Sequence, residues 1–270
     1  MPKPSGIVAF LTDFGLKDPY VGVVKGVILS RCPHAKIVDL THEVEPQNLL
    51  QGALYLKASL RYFPVGTVFL AVVDPGVGGR RDPIAVETEN FLFVGPDNGL
   101  LYPAVLEDGI KRVVRLSNEA FHLKPVSRTF HARDIFGPAA GALASGVPLD
   151  ALGEPKEEME GLQIPEPTVR KGGVVGVALF SDRFGNVVTN IPEEALRRLS
   201  PTGAPEGLWV EAKGRRMRVL GAYSGAAKGE PLAIVGSMGL LEIAVREGSA
   251  REELGLLPGD EVTVLSPDRS

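Results

Sequence analysis

Continuous apolar runs alternate with stretches of helical periodicity in the first half of the chain. The runs are residues 6–11, 36–40 and 66–74, and their composition is typical of buried strands. The stretches between them, 20–31 and 49–60, carry apolar residues at helical spacing and predict helices. The side chains expected on one face of the first helix are Tyr20, Val23, Val24, Val27, Ile28 and Arg31. Strands that alternate with helices predict a mainly parallel sheet with crossover helices, which is an α/β domain.

Two later segments extend this domain. Residues 83–88 and 91–96 predict a β-hairpin that turns at Glu89 and Asn90. Residues 134–146 are small and apolar enough to form a closely packed helix. We therefore assign residues 1–160 to the α/β domain.

The pattern changes at residues 153–173, where Pro, Gly and charged residues dominate and the apolar period is lost. Seven short strand-like segments separated by turn signals follow: VVGVALF, NVVTN, LWVEAK, RRMRVL, PLAIVG, LLEIAV and EVTVLS. Regularly spaced short strands are typical of a small β-sandwich or barrel. We therefore assign residues 161–172 to a linker and residues 173–270 to a smaller all-β, barrel-like domain.

Composition and charge argue against several classes of function. The formal net charge is −4, from 29 Lys and Arg against 33 Asp and Glu, so no basic field favours nucleic acid as a partner. The single cysteine excludes an intramolecular disulfide, and no HExxH or similar spacing indicates a metal site. The N-terminal apolar run is too short for a signal peptide or a membrane span, so we expect a cytoplasmic protein without a membrane partner.

Polar residues at a strand end give the first candidate chemistry. Asp74 ends an apolar run and opens the segment DPGVGGRR, which closes on Arg81, and His131 lies in TFHARDIFGP just before the predicted small-residue helix. The ends of apolar strands are where α/β proteins place their chemistry, and Asp, Arg and His together can orient and deprotonate a water molecule. Two of these residues also have a structural interpretation, Asp74 as the first residue of a turn and His131 as a hydrogen-bonded structural histidine.

Candidate ligand-binding residues occur in both halves of the chain. Asp13 and Asp18 follow the first strand, where a carboxylate can accept both hydroxyls of a ribose or can cap a turn or helix. Asn186 and Phe184 lie in SDRFGNVVTN, which predicts either a ligand-binding loop or a β-turn around a glycine. Tyr223 lies in a polar, glycine-rich loop, where an aromatic side chain can contact a ligand.

Six motifs in a fixed order span nearly the whole chain: TDFG, DPGVGGRR, GPDNG, TFHARDIFGP, DRFGNVVTN and GSMGLLEIAVREGSA. Through them the chain resembles the S-adenosyl-L-methionine (SAM) hydroxide adenosyltransferases, the adenosine-forming SAM hydrolases related to fluorinase and chlorinase. The resemblance implies an N-terminal α/β domain and a C-terminal β-barrel domain. It also implies a homotrimer in which each site lies between the N-domain of one subunit and the C-domain of the next. SAM would be the substrate, adenosine a product, and no cofactor would be required.

The resemblance also implies roles for individual residues. Asp13 matches the ribose-diol ligand, and the matches to the water-activating set are Asp74, Arg81 and His131. The positions that match the methionine or ribose side are Asp182, Asn186, Ser237 and Met238. Phe184 and Tyr223 match aromatic residues that contact adenine, and the backbone near Val245 and Glu247 matches the segment that binds the adenine edge.

Three positions depart from the halogenating relatives. Asp74 stands where those enzymes have a non-acidic residue, Gln47 where fluorinase has a tryptophan, and Met238 where it has an arginine. The methionine carboxylate is therefore expected to be held differently here. We predict hydrolysis of SAM to adenosine and L-methionine by attack of an activated water on the ribose C5′. The alternatives are a halide-using enzyme, disfavoured because the Asp74 carboxylate would repel an anion, and a non-catalytic adenosine- or SAM-binding module.

Overall fold

Residues 2–170 and 172–266 are described by a computed structural model of the protein. Contacts within the chain separate two units, Met1–Leu162 and Gln163–Ser270. Each unit has its own apolar core, so each is described by itself.

The first unit is built on a seven-stranded mixed sheet. Its strands are β1 (Ile7–Thr12), β2 (Lys36–Thr41), β3 (Val68–Val72), β4 (Pro83–Thr88), β5 (Leu92–Pro96), β6 (Ile110–Arg115) and β7 (Glu154–Lys156), in the order β2-β1-β3-β5-β4-β6-β7. Strands β2, β1, β3 and β5 are parallel neighbours, and β4, β6 and β7 join by antiparallel pairing. The predicted α/β class and the β4–β5 hairpin are confirmed.

Helices cover both faces of this sheet. They are α1 (Tyr20–Arg31), α2 (Leu49–Ser59), α3 (Tyr102–Glu107) and α4 (Gly137–Ala144), with a π-helical turn, Ala132–Phe136, directly before α4. Side chains of β1 alternate between the faces: Val8 and Phe10 pack with α1 and α4, whereas Ala9 and Leu11 pack with α2 and α3. Burial on both sides explains why the sequence shows a continuous apolar run rather than alternation.

Helix α4 packs closely on α1, as its small side chains predict. A Cβ at Gly141 would lie only 2.8 Å from the Arg31 Cβ and 2.9 Å from the Ile28 carbonyl oxygen. Every residue of α4 is buried. The glycine therefore lets the two helices approach, and this fixes the position of the π-helical turn at the start of α4.

Two details of the first unit differ from expectation. Helix α1 buries Val21, Val24 and Ile28, whereas Tyr20 and Val23 are exposed, so the predicted face is wrong by part of a turn. Apolar residues occur nearly all round this helix, and contact with α4 selects which of them are buried. Strand β2 was expected to be buried but its side chains are exposed or half-exposed, because it is the edge strand of the sheet.

The second unit is a nearly closed antiparallel barrel. Its strands are β8 (Thr168–Arg170), β9 (Gly173–Ser181), β10 (Val187–Pro192), β11 (Trp209–Ala212), β12 (Arg215–Arg218), β13 (Pro231–Val235), β14 (Leu240–Val245) and β15 (Glu261–Leu265). The order is β12-β11-β15-β9-β10-β14-β13, with β8 also paired to β9. An isolated bridge between Val219 and Ala233, with a 2.9 Å bond from the Leu220 N–H to the Ala233 carbonyl, brings the two ends together.

The predicted barrel-like domain and its seven strands are confirmed. Two short helices, α5 (Glu193–Leu199) and α6 (Ala250–Glu253), were not predicted, and β8 lies inside the segment that the sequence assigns to a linker. In β14, Leu241, Ile243 and Val245 belong to the main core of this unit, so Glu242 points to the other face. The longest helix in the described ranges, α1, has 12 residues, well short of the roughly 20 needed to cross a bilayer.

Candidate active site

Polar side chains follow three neighbouring parallel strands of the first unit, within two residues of each strand end. Strands β1 and β3 pair in register through their last residues, and β5 lies beside β3. Asp13 follows β1, Asp74 follows β3 and Asn98 follows β5. The Asn98 side-chain amide donates to the Val73 carbonyl oxygen at 3.0 Å, which ties the end of β5 to the residue before Asp74. This carboxyl edge is the expected place for a ligand in an α/β sheet.

Asp74 and Arg81 form a buried ion pair. The Arg81 Nε lies 3.1 Å from both Asp74 carboxylate oxygens, and Nη2 also donates to Oδ2. The side chains are only 5% and 9% exposed, respectively. Between them the chain makes a tight turn in which Gly78 has φ +74°, and a Cβ there would lie 2.2 Å from the Arg128 carbonyl oxygen. Only glycine fits, and the turn brings Arg81 back onto Asp74.

His131 completes this cluster from 50 residues further along the chain. Its Nδ1 lies 2.9 Å from Arg81 Nη2. Because a guanidinium can only donate, His131 Nδ1 is the acceptor and the ring proton sits on Nε2. Burial, and next the positive charge of Arg81, lower the pKa of His131, which favours the neutral ring. The Phe136 ring, in the π-helical turn, lies 5.3 Å from the Arg81 guanidinium and supports it from one side.

The structure therefore brings together the three residues predicted to activate water. Arg81 holds the Asp74 carboxylate in one orientation, and the carboxylate keeps lone pairs that can accept a proton. The Arg81 Nη1 group makes no hydrogen bond with the residues that the structure describes, so it can donate to a bound molecule. A water held between Nη1 and the carboxylate would be both oriented and placed next to a base.

Asp13 is half-buried and partly engaged. Its Oδ2 accepts the Gln47 N–H at 2.8 Å, whereas its Oδ1 has no hydrogen bond within residues 2–170 and 172–266. Gln47 has φ 68°, a left-handed conformation that is uncommon for a residue with a side chain. Asp18 is exposed ahead of α1 and makes no hydrogen bond or ion pair with the described residues. Of the two candidate ribose ligands, Asp13 is therefore the one that is held in place.

In the second unit, Asp182 and Asn186 build one tight turn between β9 and β10. The Asp182 Oδ1 accepts the N–H groups of Phe184 and Asn186, both at 2.9 Å, and its Oδ2 accepts the Asn186 side-chain amide at 3.0 Å. A Cβ at Gly185 would lie 2.1 Å from Ser249 Oγ, so the turn also packs closely against the residue before α6. The β-turn interpretation is confirmed, and the turn presents Phe184, which is 79% exposed, at its tip.

Glu242 is a functional candidate that the sequence analysis missed. It lies on β14, is only 7% exposed, and its Oε2 lies 3.5 Å from the Tyr223 hydroxyl. Burial, and next the nearby Asp182 carboxylate, raise the pKa of Glu242 to about 7. An acidic residue inside the apolar segment LLEIAV was the available signal. Asp182, Tyr223 and Glu242 thus form a second polar cluster, in which Tyr223 was predicted to contact adenine.

Ser237 and Met238 lie in the turn that joins β13 to β14. The Gly236 N–H donates to the Leu240 carbonyl oxygen at 2.9 Å across this turn. A Cβ at Gly236 would lie 1.8 Å from Glu242 Oε1. The glycine therefore lets the Glu242 carboxylate reach the turn that carries both predicted methionine-side residues.

Val245 and Glu247 lie at the end of β14. The Val245 carbonyl oxygen accepts the Gly248 N–H at 3.1 Å, so this acceptor is already engaged. Glu247 has φ 56° and pairs with Lys228 at 3.0 Å. The role predicted for the backbone here, binding the adenine edge, stays a prediction. In the described part of the chain, no three His, Cys, Asp or Glu side chains gather as a metal site would require.

Comparison with family models places the chain among known proteins. Residues 8–153 match the SAM hydroxide adenosyltransferase N-terminal domain, and residues 176–263 match the C-terminal domain of that family. The chain is 44% identical to the (R)-S-adenosyl-L-methionine hydrolase of Thermus thermophilus over 96% of this chain and 99% of that protein. It is 39% identical to the protein of the same name from Salinispora tropica, over 97% and 99%.

A more distant relative and two solved structures also match over nearly the whole chain. The fluorinase of Actinopolyspora mzabensis is 27% identical over 96% of each chain. A Thermotoga maritima crystal structure, described as an uncharacterized conserved protein, superposes with a TM-score of 0.89 at 39% identity, covering 96% of this chain and 99% of that one. A conserved hypothetical protein from Thermus thermophilus superposes with a TM-score of 0.77 at 41% identity, covering 97% and 100%.

Proposed function

We propose that this protein, which belongs to the SAM hydroxide adenosyltransferase family, hydrolyses SAM to adenosine and L-methionine. The observation that carries the proposal is the cluster of Asp74, Arg81 and His131 at the end of β3, in which the Asp74 and Arg81 side chains are buried. Relatives that are 37–44% identical over nearly the whole chain carry the name (R)-S-adenosyl-L-methionine hydrolase, which supports the same reaction here.

The proposed reaction is an in-line displacement at the ribose C5′. The water oxygen forms a bond to C5′ while the bond from C5′ to the sulfonium breaks, and its electron pair goes to sulfur. Methionine leaves as a neutral thioether, so the leaving group needs no general acid. The water loses one proton, which the Asp74 carboxylate accepts before it passes to solvent. Because the leaving group is already activated, the protein has mainly to position water and to remove that proton.

Asp74 and Arg81 are suited to both tasks. Arg81 fixes the carboxylate through Nε and Nη2, and its Nη1 is available to a water molecule. Alignment of the two reactants can lower a barrier by about 7–11 kcal/mol. A positioned base contributes roughly 10²–10⁴-fold in rate. In this proposal His131, as a neutral acceptor, holds the guanidinium so that its remaining N–H groups point to the nucleophile.

Substrate recognition is divided between the two units in this proposal. Asp13 binds the ribose hydroxyls, for which its Oδ1 lacks any other hydrogen bond from the described residues. Phe184 and Tyr223 contact adenine, and the turns that carry Asp182, Asn186, Ser237 and Met238 contact methionine or ribose. We further propose a homotrimer in which each site is completed by the second unit of the neighbouring subunit. The split of the predicted residues between two units supports this arrangement.

A halide-using reaction is the second candidate, since fluorinases are relatives at 27–30% identity. The buried Asp74 carboxylate argues against it, because an anionic nucleophile would be repelled at short range. Water carries no charge and gains from a nearby base. Asp74, which Arg81 contacts through Nε and Nη2, is thus the residue that distinguishes the two reactions.

Incubation with SAM in ¹⁸O-water tests the proposal directly. Attack at C5′ places the label on the 5′-oxygen of adenosine, whereas unlabelled adenosine would rule out this mechanism. The (R) in the relatives' names refers to the sulfonium centre, since L already specifies the amino acid, so both sulfonium epimers should be assayed. Release of 5′-fluoro- or 5′-chloro-nucleoside in halide buffer would favour the second candidate. Adenosine binding without turnover of either epimer would indicate a non-catalytic module.

A further inference from the structure

A buried polar pair adjoins Asp13 in the chain, and the reaction proposed above does not use it. His42 is buried and its Nδ1 lies 2.8 Å from the hydroxyl oxygen of Thr12, which is also buried. Thr12 is the last residue of β1 and precedes Asp13, and His42 follows the last residue of β2. The pair therefore joins the carboxyl ends of two parallel strands at the candidate site.

The surroundings of His42 define which group donates. Burial lowers the pKa of His42, so the ring is neutral and carries one proton. Its Nε2 lies 3.1 Å from Asp39 Oδ1, a contact misaligned for a hydrogen bond but one that favours the proton on Nε2. Asp39 in turn pairs with Lys25 at 2.6 Å. Nδ1 is therefore the acceptor, and the Thr12 hydroxyl donates to it.

Both residues also hold the backbone around Asp13. The Thr12 hydroxyl oxygen accepts the Phe14 N–H at 3.2 Å. The His42 carbonyl oxygen accepts the Gly15 N–H at 2.7 Å. The two peptide groups that follow Asp13 are thus tied to the Thr12–His42 pair, and the Asp13 side chain is left with only one tie of its own, to the Gln47 N–H, among the described residues.

We propose that Thr12 and His42 are positioning residues that orient the Asp13 carboxylate toward the two ribose hydroxyls of an adenosyl ligand. The inference rests on the proposed function, because it assigns the ribose to Asp13. Two hydroxyls can be bound by one carboxylate only if its plane is held at a defined angle, since each bond weakens steeply as its alignment is lost. The Thr12–His42 pair fixes the backbone from which that plane is set.

A general contribution to stability is the competing explanation for the same pair. A buried hydrogen bond contributes to the free energy of folding wherever it lies. Stability alone would make a Thr12 substitution act independently of Asp13. If Thr12 acts through Asp13, the effect of a Thr12 substitution on ribose binding should vanish once the Asp13 carboxylate has been removed. A double-mutant cycle distinguishes the two.

The test measures adenosine binding by calorimetry in Thr12→Val, Asp13→Ala and the double variant. Valine is close to threonine in shape and removes the hydroxyl. We expect Thr12→Val to raise the adenosine Kd by about five- to tenfold when Asp13 is present. In the Asp13→Ala protein the same substitution should raise it by less than about twofold. The Kd of 2′,3′-dideoxyadenosine should change by less than about twofold in every variant, because that ligand lacks the diol. For SAM, KM should rise more than kcat falls.

Matched variants control for the change in the fold. Thr12→Ser keeps the hydroxyl, and Thr41→Val removes a hydroxyl that accepts the Glu43 N–H at 3.0 Å in the neighbouring loop. Both should retain adenosine affinity. His42→Phe removes the acceptor of the Thr12 hydroxyl but keeps a ring against Phe10, which lies 4.7 Å away in the wild type. If Thr12→Val does not fold, His42→Phe takes its place and should show the same loss of adenosine affinity.

Three results would overturn the inference. One is an equal loss of adenosine affinity from Thr12→Val with and without the Asp13 carboxylate. Another is unchanged adenosine affinity in a folded Thr12→Val protein, and the third is an equal loss for adenosine and its dideoxy analogue. Each leaves SAM hydrolysis by the wild type intact and so refutes only the positioning role. A wild type that neither hydrolyses SAM nor binds adenosine would refute the proposed function, and the positioning role with it.

Discussion

The Arg81 guanidinium contacts the Asp74 carboxylate through two nitrogens: Nε lies 3.1 Å from both carboxylate oxygens, and Nη2 donates to Oδ2. The pair is almost fully buried, so its geometry is protected from competing water. His131 Nδ1 accepts a hydrogen bond from the other N–H of Nη2, which leaves Nη1 for a ligand. A base and a donor are therefore held side by side.

Replacement of Asp74 by asparagine tests the base. The asparagine side chain would keep the shape and a hydrogen-bond acceptor for Arg81 but could not accept a proton from water. We expect Asp74→Asn to lower kcat for SAM hydrolysis by roughly 10²–10⁴-fold with little change in adenosine affinity. Asp150→Asn, at an exposed ion pair with Arg112, is the control and should keep full activity. A kcat close to that of the wild type would show that Asp74 is not the base.

Replacement of Arg81 by lysine tests the orientation of the carboxylate. A lysine ammonium keeps the charge but cannot donate from two fixed nitrogens while also reaching His131. We expect Arg81→Lys to lower kcat by at least about tenfold, because the carboxylate and the water lose their alignment. Arg80→Lys changes the preceding exposed arginine in the same way and should have no effect. Equal kcat values for the two variants in a steady-state assay would contradict the proposed role of the Arg81 guanidinium in orienting Asp74.

The raised pKa of Glu242 predicts a pH dependence of stability. The folded protein binds the Glu242 proton up to a pH of about 7, whereas an unfolded glutamate releases it near its ordinary pKa of 4.5. The folded state therefore holds more protons between these values, so the free energy of unfolding falls as pH rises through this window. Glu242→Gln should remove this loss, which amounts to at most about 3 kcal/mol.

Chemical denaturation at the two ends of this window, near pH 4.5 and just above pH 7, measures that difference. Relative to the wild type, Glu242→Gln should gain stability at the higher pH. Glu261→Gln, at an exposed position of β15 in the same unit, serves as the control and should follow the wild type at both values. If the free energy of unfolding changes by the same amount between the two pH values in the wild type and in Glu242→Gln, Glu242 is not protonated in the folded state at neutral pH.

Subunit exchange tests whether a site is shared. If the first unit of one subunit and the second unit of the next form each site, mixing Asp74→Ala with Asn186→Ala yields some sites that carry neither lesion. We expect hydrolysis activity to return on mixing and exchange. The control mixes Asp74→Ala with Arg81→Ala, whose lesions lie in the same unit, so every site keeps one of them. No recovery in the first mixture, with exchange verified, would place each site within one chain.

Local sequence pattern alone was sufficient to predict many of the strands and some of the candidate residues. The apolar runs that became β1 and β3 identified a sheet buried on both sides, and the short strands of the second half identified the barrel. Asp74 could be chosen as a candidate because it directly follows an apolar run, and Asn186 because it directly follows a turn glycine. These features depend on neighbours within a few residues, which is why periodicity and turn chemistry are sufficient to find them.

Tertiary structure decided the rest. Helix α1 is apolar nearly all round, so contact with α4, and not the sequence period, selected Val21 over Val23 for burial. The burial of Glu242 depends on strand pairing and on the approach allowed by Gly236. The meeting of Arg81 with His131 spans 50 residues. Such contacts join segments that share no local pattern, because they are set by how elements pack, and packing energies depend on all the neighbours at once.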